Sequence, residues 1–356
     1  MTAETQHIPS RLGDRADRAR RLHRMLWLLL LLACALSMTT GAAGAQVRGA
    51  LLGWINGDAL DMGARIILFD IRLPRLFVGI LVGAGLAVSG AVMQGLFRNP
   101  LADPGLVGVS AGASLGAISA IVLGGALPPA LLAWLGPALL PVAAFLGGWV
   151  TTIALYRIST RAGRTSVATM LLAGVAMSAL AFALTGLLTY LADDQQLRDL
   201  TFWNLGSLAG ATWPKVWSAA AMILPAMVAA PLLARGLNGL ALGEAAAMHM
   251  GIPLERLKTG AILIVAFGTG AAVAVAGTIG FIGIVVPHLL RLASGPDHRA
   301  LLPNAALLGA ALLILADCAA RVLIAPAELP IGIVTALMGA PVFLWIVLRN
   351  RGAVDI

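Results

Sequence analysis

Few side chains in this chain could do covalent or metal chemistry, and their spacing excludes most of it. Its lysines are Lys215 and Lys258. A phosphate-binding loop needs a glycine-rich turn ending in Gly-Lys-Ser/Thr, so that backbone N–H groups and the lysine can hold phosphates. Lys258-Thr259 follows Leu257 instead, and no such turn occurs in the sequence. The five histidines form no His-Glu-x-x-His or other close ligand set. His249 and His298 fall in expected loops, and His288 follows Pro287 near an expected helix end, where capping or packing accounts for them. Cys34 and Cys318 lie in separate apolar runs, the setting of buried thiols rather than of a disulfide or metal pair. No serine–histidine or paired-aspartate arrangement supports an enzyme. The expectation is therefore no catalytic residue, no metal and no cofactor; any energy from ATP has to come from another subunit.

A small set of charges remains to be explained. Arg72, Arg75 and Arg321 flank apolar runs, Asp317 stands inside one, and Arg198 sits in a polar stretch between two of them. Glu244 lies in an unusual Ala- and Met-rich segment.

The elements that position these groups follow from composition. Hydrophobic residues make up 60% of the chain and charged ones 11%, whereas a soluble domain carries about 25% charged residues. Such a surface is stable only against lipid, so the chain reads as an all-α polytopic membrane protein. Its net charge of +8 is no nucleic-acid signal. Arg11, Arg15, Arg18, Arg20, Arg21 and Arg24 precede the first apolar run, and most others sit at helix ends, the distribution of the positive-inside rule. Glycines spaced four apart, such as Gly79/Gly83 and Gly108/Gly112/Gly116, suit close helix packing in lipid.

Apolar spans are expected at 25–45, 74–96, 105–124, 131–156, 167–190, 214–234, 260–277, 281–294, 303–325 and 330–349. That makes about ten, with 281–294 short for a crossing of ~20 residues. Met25 to Met38 followed by Gly41-Ala-Ala-Gly-Ala45 reads either as a retained first span or as a cleaved secretory signal. The domain reading is a basic cytosolic tail, 1–24, and one transmembrane domain, 25–356. With both termini cytosolic, Arg98, Arg157, Arg161, Arg164, Arg235, Arg256, Lys258, Arg291, Arg299, Arg349 and Arg351 fall inside. The smaller external set is Arg48, Arg65, Arg72, Arg75, Arg198, Lys215 and Arg321. Ala87-Val-Ser-Gly-Ala-Val-Met-Gln also echoes Ala274-Val-Ala-Gly-Thr-Ile-Gly-Phe, which fits inverted-repeat related halves or chance in an Ala/Gly/Val-rich chain.

The segment 239–258 is expected on the cytosolic side. Helix formers run from Ala241 to Met250, Gly251 suits a C-cap, and Pro253 suits the first turn of a second short helix. Two short helices exposing methionines and Glu244 make a docking surface; an amphipathic segment lying on the membrane lacks the basic face it needs.

Several segments resemble the permease subunits of ATP-driven (ABC) importers for iron chelates, haem and cobalamin. They are Arg72-Leu-Pro-Arg75, Gly90-Ala-Val-Met-Gln94, Asn99-Pro-Leu-Ala-Asp-Pro-Gly105, Leu242-Gly-Glu244, Gly280-Phe-Ile-Gly283, Pro287-His-Leu-Leu-Arg291, Asp297-His-Arg299 and Glu328-Leu-Pro-Ile-Gly332. They occur in the family's order from about residue 70 onwards, after an N-terminal tail longer than the family usually shows. The resemblance implies a ten-helix subunit of a homodimeric permease in the bacterial inner membrane, with the path between the two copies. It implies cytosolic ATP-binding subunits docking on coupling helices at 239–258, through Gly243, Glu244, Ala245, Ala246, Met248 and Gly251. It also implies a periplasmic substrate-binding protein whose acidic residues meet Arg72, Arg75 and Arg321; interfacial snorkelling is the alternative for these three.

Leu191-Ala-Asp-Asp-Gln-Gln-Leu-Arg-Asp-Leu-Thr-Phe-Trp203 resembles haem-importing members. Arg198 in it is a substrate-path candidate, because a guanidinium can grip a haem carboxylate with two parallel hydrogen bonds. It can equally pair with Asp194 or Asp199. The expected function is import of haem, with a ferric siderophore or cobalamin as the alternative cargo. A secondary transporter driven by protons or sodium is the rival class, and Asp317 is its one candidate carrier.

Overall fold

A computed structural model of the chain describes residues 11–41 and 60–349, together with Val47, Gly49 and Gly53. Arg48, Arg351 and residues 42–45 of the proposed cleavage segment lie outside them. The helices in chain order are α1 (Arg11–Thr39), α2 (Leu73–Leu96), α3 (Val109–Leu123), α4 (Leu139–Ser159), α5 (Val167–Leu191) and α6 (Asp194–Asn204). They continue with α7 (Trp213–Ala229), α8 (Ala234–Leu240), α9 (Glu244–His249), α10 (Leu254–Ala276), α11 (Ile282–Ser294), α12 (His298–Ala320) and α13 (Ile331–Arg349). Between α4 and α5, β1 (Thr160–Arg161) and β2 (Arg164–Thr165) pair antiparallel in a small hairpin. Among the described residues, 8 helices or helix pairs are long and apolar enough to cross a membrane, and α11 and most of α13 are shorter apolar ones. Together they account for the ten expected spans.

Local chemistry explains where the boundaries depart from expectation. The helix α1 starts at Arg11, so the basic stretch and the first apolar run are one 29-residue helix without a break at residue 24. The span expected from 131 begins at Leu139, because Gly136 (φ 45°) and Pro137 separate it from a seven-residue helix over Pro129–Leu135. The α7 helix passes into a tighter turn at Ala230–Leu233, where Pro231 interrupts it, and resumes as α8. The α12 helix stops at Ala320 rather than running to 325.

Helix α2 is the centre of the bundle. Nearly all of its side chains are buried, and it packs against α12, α10, α7 and α11. Helices in lipid gain little by hiding apolar surface from one another, so close backbone approach at small residues must hold them. Gly83 meets Gly309 of α12 and Gly90 meets Gly283 of α11, so closely that a Cβ on either would overlap the facing carbonyl. Gly112 and Gly116 of α3 are met in the same way by Thr151 and Ala143 on α4. The packing role expected for Gly83, Gly112 and Gly116 is thus the one they have. By contrast α5 points Leu172, Val175, Leu180 and Phe182 outward, at 75%, 65%, 54% and 63% exposure, an apolar face suited to lipid or another copy.

The echo between Ala87–Gln94 and Ala274–Phe281 is not a conformational one. The first segment is helical throughout, whereas the second leaves its helix at Gly277 (φ 72°).

Candidate functional site

At one end of the bundle three arginines converge. Arg75 lies in the first turn of α2 behind Pro74; Arg72 precedes it at the end of the π-helical stretch Ile66–Arg72. Arg321 follows the last turn of α12, four residues after Asp317. The Arg75 guanidinium donates from Nε and Nη2 to Asp317 at 3.0 and 2.8 Å, and from Nη1 to both oxygens of Glu328 at 3.0 and 2.9 Å. Arg321 pairs with the other Asp317 oxygen at 3.1 Å and donates to Ser37 Oγ at 2.8 Å and to the carbonyl of Thr40 at 3.0 Å. Arg72 donates to the carbonyl of Met38. One buried network therefore ties α1, α2, α12 and the loop 321–330 together.

This corrects the expectation of a cationic rim. Arg72, Arg75 and Arg321 are 5%, 8% and 6% exposed, and Asp317 3%. A charge taken out of water needs an opposite charge and hydrogen bonds within reach; the chain supplies both to Arg75 and Arg321 and a carbonyl to Arg72. Arg75 and Arg321 are paired with acids of the chain itself, whereas Arg72 has a carbonyl partner and no acidic one among the described residues. The sequence did show Asp317, but as a lone acid; its i,i+4 spacing to Arg321 was the available signal for the pair. Glu328 gave no signal of its own, since only folding brings its loop to Arg75.

At the opposite end the chain makes the turn expected at 239–258. Gly243 (φ 103°) opens α9, and Gly251 (φ 74°) ends it in the left-handed conformation that L side chains avoid. Leu242, Met248 and Met250 are 72%, 60% and 53% exposed. Ala245 is exposed as well, whereas Glu244, Ala246 and Gly243 are half-buried. The second short helix expected after Pro253 is instead the first turns of the 23-residue α10. Nothing in the sequence after Pro253 breaks the helix, so the segment after α9 runs directly into a spanning helix.

Lys258 anchors that junction, a role the sequence reading missed. It is 3% exposed, and its Nζ lies 3.1 Å from Glu244, 3.6 Å from Glu255 and 2.8 Å from the carbonyl of Thr165. Glu255 also accepts from the Thr165 N–H at 2.9 Å. The β1–β2 hairpin, α9 and α10 therefore meet on one buried ammonium. Between the two ends, Gln94 of α2 donates to the carbonyls of Gly283 and Ile284 at 3.3 and 3.2 Å and accepts from Arg291 of α11.

Arg198 lies on α6, whose start is fixed by a reciprocal capping box between Asp193 and Gln196. It is exposed, and neither Asp194 nor Asp199 pairs with it among the described residues. His288 and His298 are inside helices rather than at a helix end and in a loop; His298 Nδ1 lies 2.8 Å from Asn238 Oδ1. His249 closes α9. Among the described residues no group of three or more His, Cys, Asp or Glu side chains is placed to hold a metal ion.

Comparison with known proteins agrees with this architecture. The profile of the FecCD transport family matches residues 29–349. The hemin transport system permease protein HmuU of Yersinia pestis is 46% identical over 327 residues, covering 92% of this chain and 96% of its own. The vitamin B12 import system permease protein BtuC of Salmonella typhi is 44% identical over 327 residues, covering 91% and 94%. A solved structure described as an inward-facing conformation of a putative metal-chelate type ABC transporter superposes with a TM-score of 0.81 at 32% identity, over 93% of this chain and 99% of that one. PsaBC from Streptococcus pneumoniae shares the fold alone, with a TM-score of 0.56 at 16% identity over 83% and 95%.

Proposed function

The chain belongs to the FecCD transport family, and from that premise we propose that it is the permease subunit of an ATP-driven importer carrying haem across the bacterial inner membrane. In this reading two copies enclose the path, both termini are cytosolic, and ATP-binding subunits dock on α9. The exposed Leu242, Met248 and Met250 supply an apolar contact there, and Glu244, Ala245 and Ala246 lie on the same short helix between Gly243 and Gly251. A substrate-binding protein docks at the other end. It meets a face on which Arg75 and Arg321 are already paired with Asp317 and Glu328, so charge attraction through those two is weak, and Arg72, held by the Met38 carbonyl, is the cation left for an acidic residue.

The haem reading rests on one observation: Arg198 is exposed and unpaired among the described residues. A free guanidinium fork on an exposed helix can grip a carboxylate in two places. Identity to HmuU leans the same way, by 46% against 44–45% for BtuC. That margin keeps cobalamin as the second cargo, with a ferric siderophore behind it. The ion-coupled reading loses its candidate carrier, because Asp317 is held between Arg75 and Arg321.

The test is uptake into proteoliposomes holding the permease, its ATPase and its binding protein. Arg198→Ala should impair haem uptake at matched protein levels without changing thermal stability, and Arg198→Lys should restore part of it, since an ammonium offers no planar fork. Equal uptake by parent and alanine variant removes Arg198 from the path. Saturable ATP-dependent uptake of cobalamin and none of haem replaces the cargo. Uptake driven by a proton gradient without ATP defeats the importer reading itself.

A further inference from the structure

The basic start of α1 forms one wall of a crevice of about 900 Å³ against α8 and the N-terminal turns of α12. Its polar lining includes Arg20, His23, Arg24, Asp297, Arg299 and Asn304, and its apolar wall includes Leu242, Pro296 and Pro303. Most of these groups are already engaged within the chain. Arg20 pairs with Asp17 at 2.7 Å. The two His23 ring nitrogens lie 2.8 Å from Asn304 Oδ1 and 3.1 Å from Trp27 Nε1. The Asp297 carboxylate accepts from Asn238 at 2.6 Å and from the Arg299 N–H at 3.0 Å. The guanidinium groups of Arg24 and Arg299 remain, both exposed and with no hydrogen bond or ion pair among the described residues.

Their depth is the second observation. Arg24 is the last charge before the apolar run Met25–Met38, and Arg299 precedes Leu301 and Leu302 in the first turn of α12. Each stands where its helix changes from polar to apolar, the level of lipid headgroups. Basic pockets between spanning helices attract anionic headgroups by charge while the adjoining apolar wall accepts the acyl chains. A cavity of this size lies in the ~300–1,000 Å³ range of small-molecule sites.

We propose that this crevice binds one anionic phospholipid, its phosphate between Arg24 and Arg299 and its acyl chains past Pro303 beside the apolar run of α1. The assignment rests on the membrane-spanning fold and is independent of the cargo. Bound there, the lipid bridges α1 to α12 beside the segment that leads into α9.

Native mass spectrometry of the full chain in neutral detergent tests this, with phosphatidylglycerol, phosphatidylcholine or inorganic phosphate added. One phosphatidylglycerol should be retained per chain, and phosphatidylcholine should not. At about fivefold in affinity for each basic residue near the headgroup, Arg24→Gln with Arg299→Gln should weaken retention by roughly twenty-fivefold. The double lysine variant should keep most of it, and Arg161→Gln with Arg164→Gln, on the hairpin, should leave it unchanged. Arg24→Gln alone, at an exposed residue, provides the fivefold step if the double variant folds poorly. Equal retention by parent and Arg24→Gln overturns the site. So does equal loss in the hairpin variant, which would mean diffuse attraction to basic residues. Equal retention of phosphatidylcholine, or competition by inorganic phosphate at matched concentration, overturns the lipid assignment. Loss of a co-purifying ATPase subunit with an unchanged lipid count gives the crevice to a protein partner instead.

Discussion

The two ends of the bundle each bury a cation, yet they bury it differently. Arg75 and Arg321 share Asp317, which is itself only 3% exposed, and Glu328 closes the network from a loop. Lys258 is buried as deeply, but the side chains of its partners Glu244 and Glu255 are 41% and 39% exposed. In the first cluster both signs of charge are out of water, so breaking it strands a charge. In the second the carboxylates reach solvent, so only the ammonium is out of water and its partners are partly hydrated. The arginine end is tied by buried charges of both signs, and the lysine end by one buried cation shared among the hairpin, α9 and α10.

The largest effect should come from Asp317→Ala. It leaves the buried Arg321 without an acid and Arg75 with Glu328 alone, a change that typically costs about 3–5 kcal/mol. Denaturant unfolding of purified protein in detergent, with the amount of folded protein in membranes, measures it. Glu328→Ala should cost far less, about 1 kcal/mol or below, because that carboxylate is partly hydrated. Equal losses in the two variants would erase the gradient within the cluster.

Next in size is Lys258→Met. It leaves the Thr165 carbonyl without its donor and frees two carboxylates to water, an effect of about 1–3 kcal/mol. Its signature should be functional: hydrolysis by the assembled complex should persist while transport per ATP falls. An unaltered ratio would make Lys258 merely structural.

Gly251→Ala forces a Cβ onto a residue at φ 74° and should cost about 1–2 kcal/mol. The loss should appear as faster amide exchange in α9 without change at the arginine end.

The smallest effect concerns Asp297, outside the spans. Burial alone would raise its pKa, but the Arg299 N–H, the Asn238 amide and the nearby positive charges outweigh it and hold the carboxyl below its usual range. A depressed folded pKa gives stability that is present above the unfolded value of about 3.9 and lost as pH falls through the lower folded value. Asparagine caps a helix about as well, so Asp297→Asn should differ little from the parent at pH 7. Thermal unfolding should show that small gap closing in acid; a gap widening in acid reverses the sign.

Much of this was legible in the sequence because the bilayer imposes it. Apolar run lengths gave the ten spans, with the largest departures at the early start of α1 at Arg11, at Gly136-Pro137 and Pro231, and at the end of α12 at Ala320. Gly251 was legible too, since a left-handed residue after a run of helix formers has few chemical solutions. The separate second coupling helix was misread, because Pro253 marks a start and carries no information about length. Lys258 escaped notice because a lysine three residues after Glu255 and five after Pro253 looks solvated.

The sequence by itself determined that the chain crosses a membrane, where its helices run and which small residues let them touch, because lipid leaves every span the same solvent and the same packing rule. Only the tertiary structure decided what the charges do. Asp317 and Glu328 lie far from Arg75 in the chain, and nothing local distinguishes a buried, neutralised arginine from one waiting for a partner. That distinction depends on which helices end beside each other, which packing alone fixes.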